Sequence, residues 1–311
     1  MNPALSIVVF TTLAGAAQGL VVALAFSVLV GAAPSQGFLT RALLVSLVML
    51  LVSLGASFLH LGRPARAWRA VLMWRTSWMS REVIVLPAFI AIVGLWALSL
   101  LFGATDAGLQ VALALAAIAG AALLWYCTAM IYVCLRFVQE WAHPLTVINY
   151  TLIGLSSGLV LAGAVGVLAG EGAFVAATGP WALLATVVAL CTRLLSLRRN
   201  ARLKPRSTTQ SATGLQGARV VQKSMGMSAG SFNTREFFHH ASLLALRRIK
   251  LGFLLGAFLL PAALVAWGLA LGGGAAWLIA VPLQLAGVLA ERWFFFAQAR
   301  HPQNLYYQVV S

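Results

Sequence analysis

Charge is what this sequence has least of. Asp, Glu, Lys and Arg make up 9% of its 311 residues, where a soluble globular domain averages about 25%. With 61% of residues hydrophobic, the chain has too little polar surface to fold as an ordinary soluble domain, and only its connections are expected to meet water. Cysteine is scarce as well. Cys127, Cys134 and Cys191 lie in apolar stretches and lack the CxxC spacing of a zinc or iron–sulfur site, so neither a metal centre nor a disulfide framework is expected. No paired helix histidines suggest a haem. Alternating ten-residue segments are missing too, which excludes a membrane β-barrel. No basic stretch precedes the first apolar run, 4–30, and the run is longer than a signal-peptide core, so it is expected to remain as a helix. No internal repeat is visible.

What the chain does have is long apolar runs. A helix needs about 20 mostly apolar residues to cross a bilayer, and eight runs approach or exceed that length: 4–30, 42–61, 83–102, 109–135, 147–169, 181–197, 251–271 and 275–296. In hydrocarbon every backbone N–H and C=O must be satisfied within the segment, which continuous runs achieve only as helices. The expected fold is therefore an all-α integral membrane protein, a bundle of eight transmembrane helices forming one polytopic domain over 1–311. The sixth run is short. It can begin upstream at Phe174, with Arg193 near its end snorkelling to the interface.

The basic residues fall on one side. Of 21 Lys and Arg, all but Arg41 lie in every second connection or at the helix ends facing it. The second connection carries Arg63, Arg66, Arg69, Arg75 and Arg81, the fourth begins with Arg136, the sixth and its flanks hold Arg193 to Lys250, and Arg292 and Arg300 are placed beyond helix eight. By the positive-inside rule this side, with both termini, is expected to be cytoplasmic, in a bacterial inner membrane. The long basic connection 198–250 divides in two. Lys204-Pro205-Arg206-Ser207 opens a solvated strap, and Phe232 to His240 looks like a capped helix start with Asn233 or Thr234 as cap. It is expected to lie on anionic lipid or to dock a partner subunit.

Ionisable groups in a membrane are costly, about 2.5–3.5 kcal/mol on insertion scales, and mark function by default. Most of the interior is expected to lack them, with Gln18 and Gln284 its main polar residues. The exceptions cluster on the basic side, where His60 ends helix two and Glu82 begins helix three, bringing a titratable base and a carboxylate to similar depth. Exchanging two electrons and two protons with a quinone requires hydrogen-bond partners for the ring oxygens and a group that moves protons, work suited to histidine and to a half-buried carboxylate. The residues alone leave an ordinary alternative open: His60 as a helix C-terminal cap, and Glu82 at the second position of a helix capped by Ser80, both complementing the dipole. Trp68, Trp74, Trp78 and Trp293 fit an interfacial belt. Trp78 and Trp68 are the better candidates for a pocket, with Tyr126, Asn149 and Tyr150 as further hydrogen-bonding groups.

His60-Leu61-Gly62-Arg63-Pro64, then Arg66-Ala67-Trp68, and Arg75-Thr76-Ser77-Trp78-Met79-Ser80-Arg81-Glu82 opening the next helix, resemble the DmsC family of membrane anchors. So do Phe232-Asn233-Thr234-Arg235-Glu236-Phe237-Phe238-His239 and Glu291-Arg292-Trp293-Phe294-Phe295-Phe296 with His301-Pro302-Gln303-Asn304. The resemblance spans nearly the whole chain. It implies a three-subunit enzyme with a molybdopterin catalytic subunit, an iron–sulfur subunit of four-cluster ferredoxin character, and this chain passing electrons to or from ubiquinone or menaquinone. It implies no haem, iron–sulfur cluster or metal in this chain, and no nucleic-acid partner. The family's functional histidine and glutamate fall on His60 and Glu82, with Arg63, Arg81, Trp78 and Trp68 around them. Arg66, Arg69, Arg75, Arg235, Glu236, Phe237 and Phe238 are expected to dock the partner. Because the pocket side is also the basic side, the chain looks more like the anchor of a cytoplasmic sulfite dehydrogenase (SoeC type) than that of an exported dimethyl sulfoxide reductase oxidising menaquinol. Other readings of the residues are a secondary transporter, with Pro87, Pro261 and Pro282 breaking helices, and a structural anchor without quinone chemistry.

Overall fold

Each apolar run becomes a helix, and the helices are longer than hydropathy alone marks. A computed structural model describes residues 1–32, 34–59, 61–217, 219–224, 234, 236–239 and 241–307. Among them are eight helices long and apolar enough to cross a membrane, and no β-strand: α1 Leu5–Leu29, α2 Gln36–Phe58, α3 Trp78–Leu101, α4 Ala107–Val133, α5 Pro144–Ala169, α6 Gly172–Ala201, α7 Leu243–Leu271 and α8 Gly274–Ala297.

The ends that differ from the sequence reading have local causes. Ser35 caps α2, its Oγ accepting the Phe38 N–H at 3.3 Å, so the helix takes in six residues ahead of the apolar run. Ser77, not Ser80, caps α3, accepting the Ser80 N–H at 3.3 Å. Helix α6 starts at Gly172, directly after Gly170 (φ 74°) closes α5 in the left-handed region and Glu171 turns the chain. It runs 30 residues, about 45 Å at 1.5 Å per residue, well beyond the hydrocarbon core. The short sixth run is thus the middle of a long helix. Helix α7 starts at Leu243, because Arg247, Arg248 and Lys250 break its hydropathy without breaking its backbone. A π turn at Leu255–Leu259 precedes Pro261, which lacks the N–H that a regular helix would need there.

Helix α1 is the post around which the others stand. It is apolar all round and buried along most of its length, as befits a helix with no lipid-facing side. It packs against α2, α4, α5 and α8. Its tightest crossing is with α5, where Gly15 and Gly19 face Gly154 and Gly158; a Cβ on Gly19 would stand 2.9 Å from the Gly158 Cα. Small residues four apart on both helices let the backbones touch, which is how helices associate where lipid removes the hydrophobic drive. Outward, Val48, Leu51 and Val52 on α2, Leu95 and Leu98 on α3, and Leu184 and Val187 on α6 are exposed, a surface that only lipid can cover.

At the basic end a second core closes the bundle. Tyr132 and Trp141 meet edge to face at 5.3 Å, Tyr132 stacks with Tyr150 at 5.6 Å, and Phe295 joins all three. The Trp141 indole donates to the Phe295 carbonyl at 3.0 Å, tying the α4–α5 connection to the end of α8.

Candidate functional site

The connection between α2 and α3 begins with Pro64, whose fixed φ suits a first helical position, and forms a ten-residue 3-10 helix, Pro64–Met73. None of its side chains is buried. Arg63, Arg66, Arg69 and Arg75 are exposed with Trp68 and Trp74, and Arg69 and Arg75 lie over the rings of Trp68 and Trp74 at 5.6 and 5.4 Å. Mixed arginine and aromatic surface of this kind suits a headgroup layer or a partner protein.

Arg81 ties this segment to α3. Its Nε donates to the Trp74 carbonyl and its Nη2 to the Arg75 carbonyl, both at 2.9 Å, while its guanidinium covers the Trp78 ring at 4.0 Å. Trp78 in turn meets Tyr126 of α4 edge to face at 5.4 Å. One turn further in, Thr128 donates its hydroxyl hydrogen to Oε1 of Glu82. Since α3 starts at Trp78, Glu82 stands beyond the capped first turn, and the helix-end explanation of it loses its geometry. The result is a half-buried carboxylate on the α3–α4 face at the basic end of the membrane, bordered by Arg81, Trp78, Tyr126, Cys127 and Thr128.

Of the expected site residues, Arg81, Trp78 and Glu82 come together. Trp68 does not join them: it is 64% exposed on the 3-10 helix. Arg63 is likewise on the exposed connection, and His60 lies outside the described residues. The expected docking set also divides. Arg66, Arg69 and Arg75 are presented outward. Arg235 lies outside the described residues, as do Phe232 and Asn233 of the expected helix start. Phe237 stacks on His301 at 3.9 Å, its carbonyl accepts from Asn304 Nδ2 at 3.1 Å, and the Glu236 carbonyl accepts from the Asn2 N–H at 2.8 Å. Their contacts are therefore with the two ends of this same chain. Phe238 is half-buried beside them.

The sequence reading misses an ionic cluster inside the bundle. Arg193 of α6 does not snorkel: it is 1% exposed, and its Nε is 2.7 Å from Oε1 of Glu291. Arg292 is not beyond helix eight but within it, 2% exposed, with Nη1 3.2 Å from Glu291 Oε2 and its guanidinium 3.9 Å above the Tyr150 ring. Two cations and one anion leave a surplus positive charge in a low-dielectric interior. About 10 Å deeper, seven residues along both helices, a neutral layer follows. Gln284 Nε2 donates to Ser156 at 2.9 Å and to the Ala257 carbonyl in the π turn at 3.2 Å, and Ser156 bonds Thr186 at 2.7 Å. The expectation of an interior nearly free of charge is thus corrected. The signal is present in the sequence: Glu291-Arg292 has apolar residues on both sides, and the seven-residue spacings Thr186–Arg193 and Gln284–Glu291 mark one polar stripe on each helix.

Comparison with known proteins agrees over the whole chain. Residues 1–298 match the family described as DMSO reductase anchor subunit (DmsC). A sulfite dehydrogenase subunit of Allochromatium vinosum is 48% identical over 327 aligned positions, covering all of both chains.

Proposed function

This chain belongs to the DMSO reductase anchor subunit (DmsC) family, and from that premise we propose that it is the quinone-reactive anchor of a sulfite:quinone oxidoreductase whose soluble subunits stand on the basic, cytoplasmic side of a bacterial inner membrane. Two electrons leave sulfite as it gains a water oxygen and becomes sulfate. They pass from a molybdopterin subunit through the clusters of an iron–sulfur subunit and reach a quinone ring at the α3–α4 face. Two protons taken up there complete the quinol.

The observation that carries this reading is the Glu82 carboxylate, half-buried, held by Thr128 and open at the membrane boundary beneath an exposed arginine-rich segment. Glu82 is the proton-exchanging group, and His60 is proposed as its counterpart across the same connection. Thr128 orients the carboxylate, Trp78 and Tyr126 form an apolar wall for the ring, and Arg81 fixes Trp78. Arg63, Arg66, Arg69 and Arg75 receive the iron–sulfur subunit, bringing a cluster close over the ring. The full-length similarity to a sulfite dehydrogenase subunit, rather than any residue of this chain, supports sulfite as substrate.

The test is to isolate the membrane complex and measure sulfite-dependent quinone reduction beside sulfite-dependent reduction of a soluble dye. Two soluble subunits and quinone are expected to co-purify. Glu82→Gln is expected to abolish the quinone activity and spare the dye activity, with His60→Ala behaving alike. Normal quinone turnover in Glu82→Gln removes Glu82 from the mechanism, and a complex inert toward sulfite returns the chain to the dimethyl sulfoxide reductase branch.

A further inference from the structure

A small cavity of about 10 Å³ lies at the meeting of α1, α4, α5 and α8, between the Glu82 face and the ionic cluster; Gln18, Trp125, Thr128, Tyr150, Arg292 and Thr11 line it. That is about the space one water centre occupies, and a buried water also needs two to four polar partners. Gln18, Trp125 and Arg292 are 2%, 6% and 2% exposed. Gln18 uses its Nε2 on the Ala14 carbonyl at 3.0 Å, while its Oε1, an acceptor, has no protein partner. The Trp125 Nε1–H and the Arg292 Nε–H, both donors, have none either. Thr128 spends its only hydrogen on Glu82, so its oxygen lone pairs are left to accept. Leaving such groups unpaired in hydrocarbon costs several kcal/mol each.

Among the lining groups, these two donors and two acceptors are the complement of a water molecule, which accepts two hydrogen bonds and donates two; the Tyr150 hydroxyl, also buried without a partner, can take either role. We propose that this cavity is a single-water site, and that its water joins Arg292 and Trp125 on one side to Gln18 and Thr128 on the other. The chain Arg292–water–Thr128–Glu82 then places the surplus charge of the Arg193–Glu291–Arg292 cluster at one end of a hydrogen-bonded line and the proton-exchanging carboxylate at the other. Each bond in that line points its hydrogen toward Glu82, which holds the carboxylate in one orientation. Arg292 and Trp125 are positioning residues, acting on Glu82 through the water and Thr128. Among the described residues, Arg81 on its own helix, Tyr126, Cys127 and Tyr132 on α4, and Tyr150 on α5 also lie around Glu82; none of them supplies the same line. The water site stands on geometry alone, and its role in turnover rests on the quinone reading above.

The experiment is electron cryo-microscopy of the intact complex at a resolution that shows ordered water, for the wild type and for two variants that each remove one partner: Gln18→Met, which keeps the side chain's length and shape, and Trp125→Phe, which keeps an aromatic ring but loses the indole N–H. A density peak within hydrogen-bonding distance of Trp125 Nε1 and Gln18 Oε1 is expected in the wild type and is expected to vanish or weaken in both variants. A cavity without density in the wild-type map overturns the site. In the same preparations kcat for quinone reduction is expected to fall several-fold with KM for quinone and dye activity unchanged, a split that loosened packing alone does not produce. Water present with kcat unaffected in both variants overturns the positioning role. If Glu82→Gln also leaves quinone turnover intact, it is the quinone reading that has failed, and the map still decides the site.

Discussion

Replacing Glu291 by Gln is the sharpest test of the buried cluster. The substitution keeps the side chain's shape and removes its charge, leaving Arg193 and Arg292, 1% and 2% exposed, without a counter-charge. Breaking a buried ion pair by removing one partner costs about 3–5 kcal/mol, because the remaining charge stays desolvated. At about 1.4 kcal/mol per factor of ten, the folded-to-unfolded ratio should drop by roughly two to four powers of ten. A second change, Arg193→Gln on top of Glu291→Gln, removes one stranded cation and leaves Arg292 above the Tyr150 ring, a contact worth up to about 2 kcal/mol when desolvated. The double variant should therefore be more stable than Glu291→Gln alone by at least about 1 kcal/mol, a coupling that a double-mutant cycle measures directly. Cys127 is buried while Cys134 and Cys191 are exposed, so in a background with the latter two changed to Ser a thiol-reactive dye reports exposure of Cys127 during unfolding in detergent. A loss below about 0.5 kcal/mol for Glu291→Gln, the range of ordinary surface changes, together with no coupling to Arg193, would refute the reasoning.

Reporter fusions at Gln210 should report the cytoplasm and fusions at Asp106 and Glu171 the opposite side; the reverse pattern would place the soluble subunits outside and end the sulfite preference. Turnover of the complex in sealed liposomes should build no sustained, uncoupler-sensitive potential, because among the described residues no Asp, Glu, His or Lys of the eight helices lies beyond Glu82 and Glu291 toward the far side, where such relays mark proton pathways; such a potential would reveal a path across. Burial, and then the neighbouring N-terminal amine, hold His301 below the usual 6.5, and its Nδ1 accepts the Gln303 N–H at 3.2 Å. The folded-state value is depressed, so the neutral ring's contribution is present above 6.5 and is lost as pH falls through the lowered value. Amide protection factors across 298–307, taken relative to the intrinsic exchange rate at each pH, should fall as pH drops from about 7.5 to about 5, and His301→Asn should flatten that dependence.

The eight crossings are legible because each run is long and continuous enough to exceed any soluble helix core. The ends are not, because a hydropathy window stops at the first charges while the backbone continues: Arg247 to Lys250 are helical, and so are Arg198 and Arg199. Arg292 falls inside the eighth run, 275–296, yet counts by charge with the basic flank, although Trp293 to Ala297 carry α8 onward. Nor does local pattern pair Arg193 with Glu291, whose meeting depends on two helices far apart in the chain. Of the candidate site, Glu82, Arg81 and Trp78 are legible as a compact polar motif at a helix start. Thr128 and Tyr126 are harder, since one hydroxyl among apolar residues carries no signal until α4 is set against α3.

The central place of α1 has a consequence for how the protein is made. Of these eight helices, the one synthesised ahead of the other seven is the one that ends up enclosed, and its closest fit, the glycine crossing with α5, involves a helix that follows three others. Until then α1 must rest in lipid without them, which its largely apolar surface, free of ionisable groups, permits, and later helices must gather around a resident rather than stack one upon the next. Biogenesis of this bundle therefore runs inward-out. A substitution that narrows the glycine contact should leave insertion of every helix intact and show itself only afterwards, as a fully inserted chain that fails to close and is handed to membrane proteolysis.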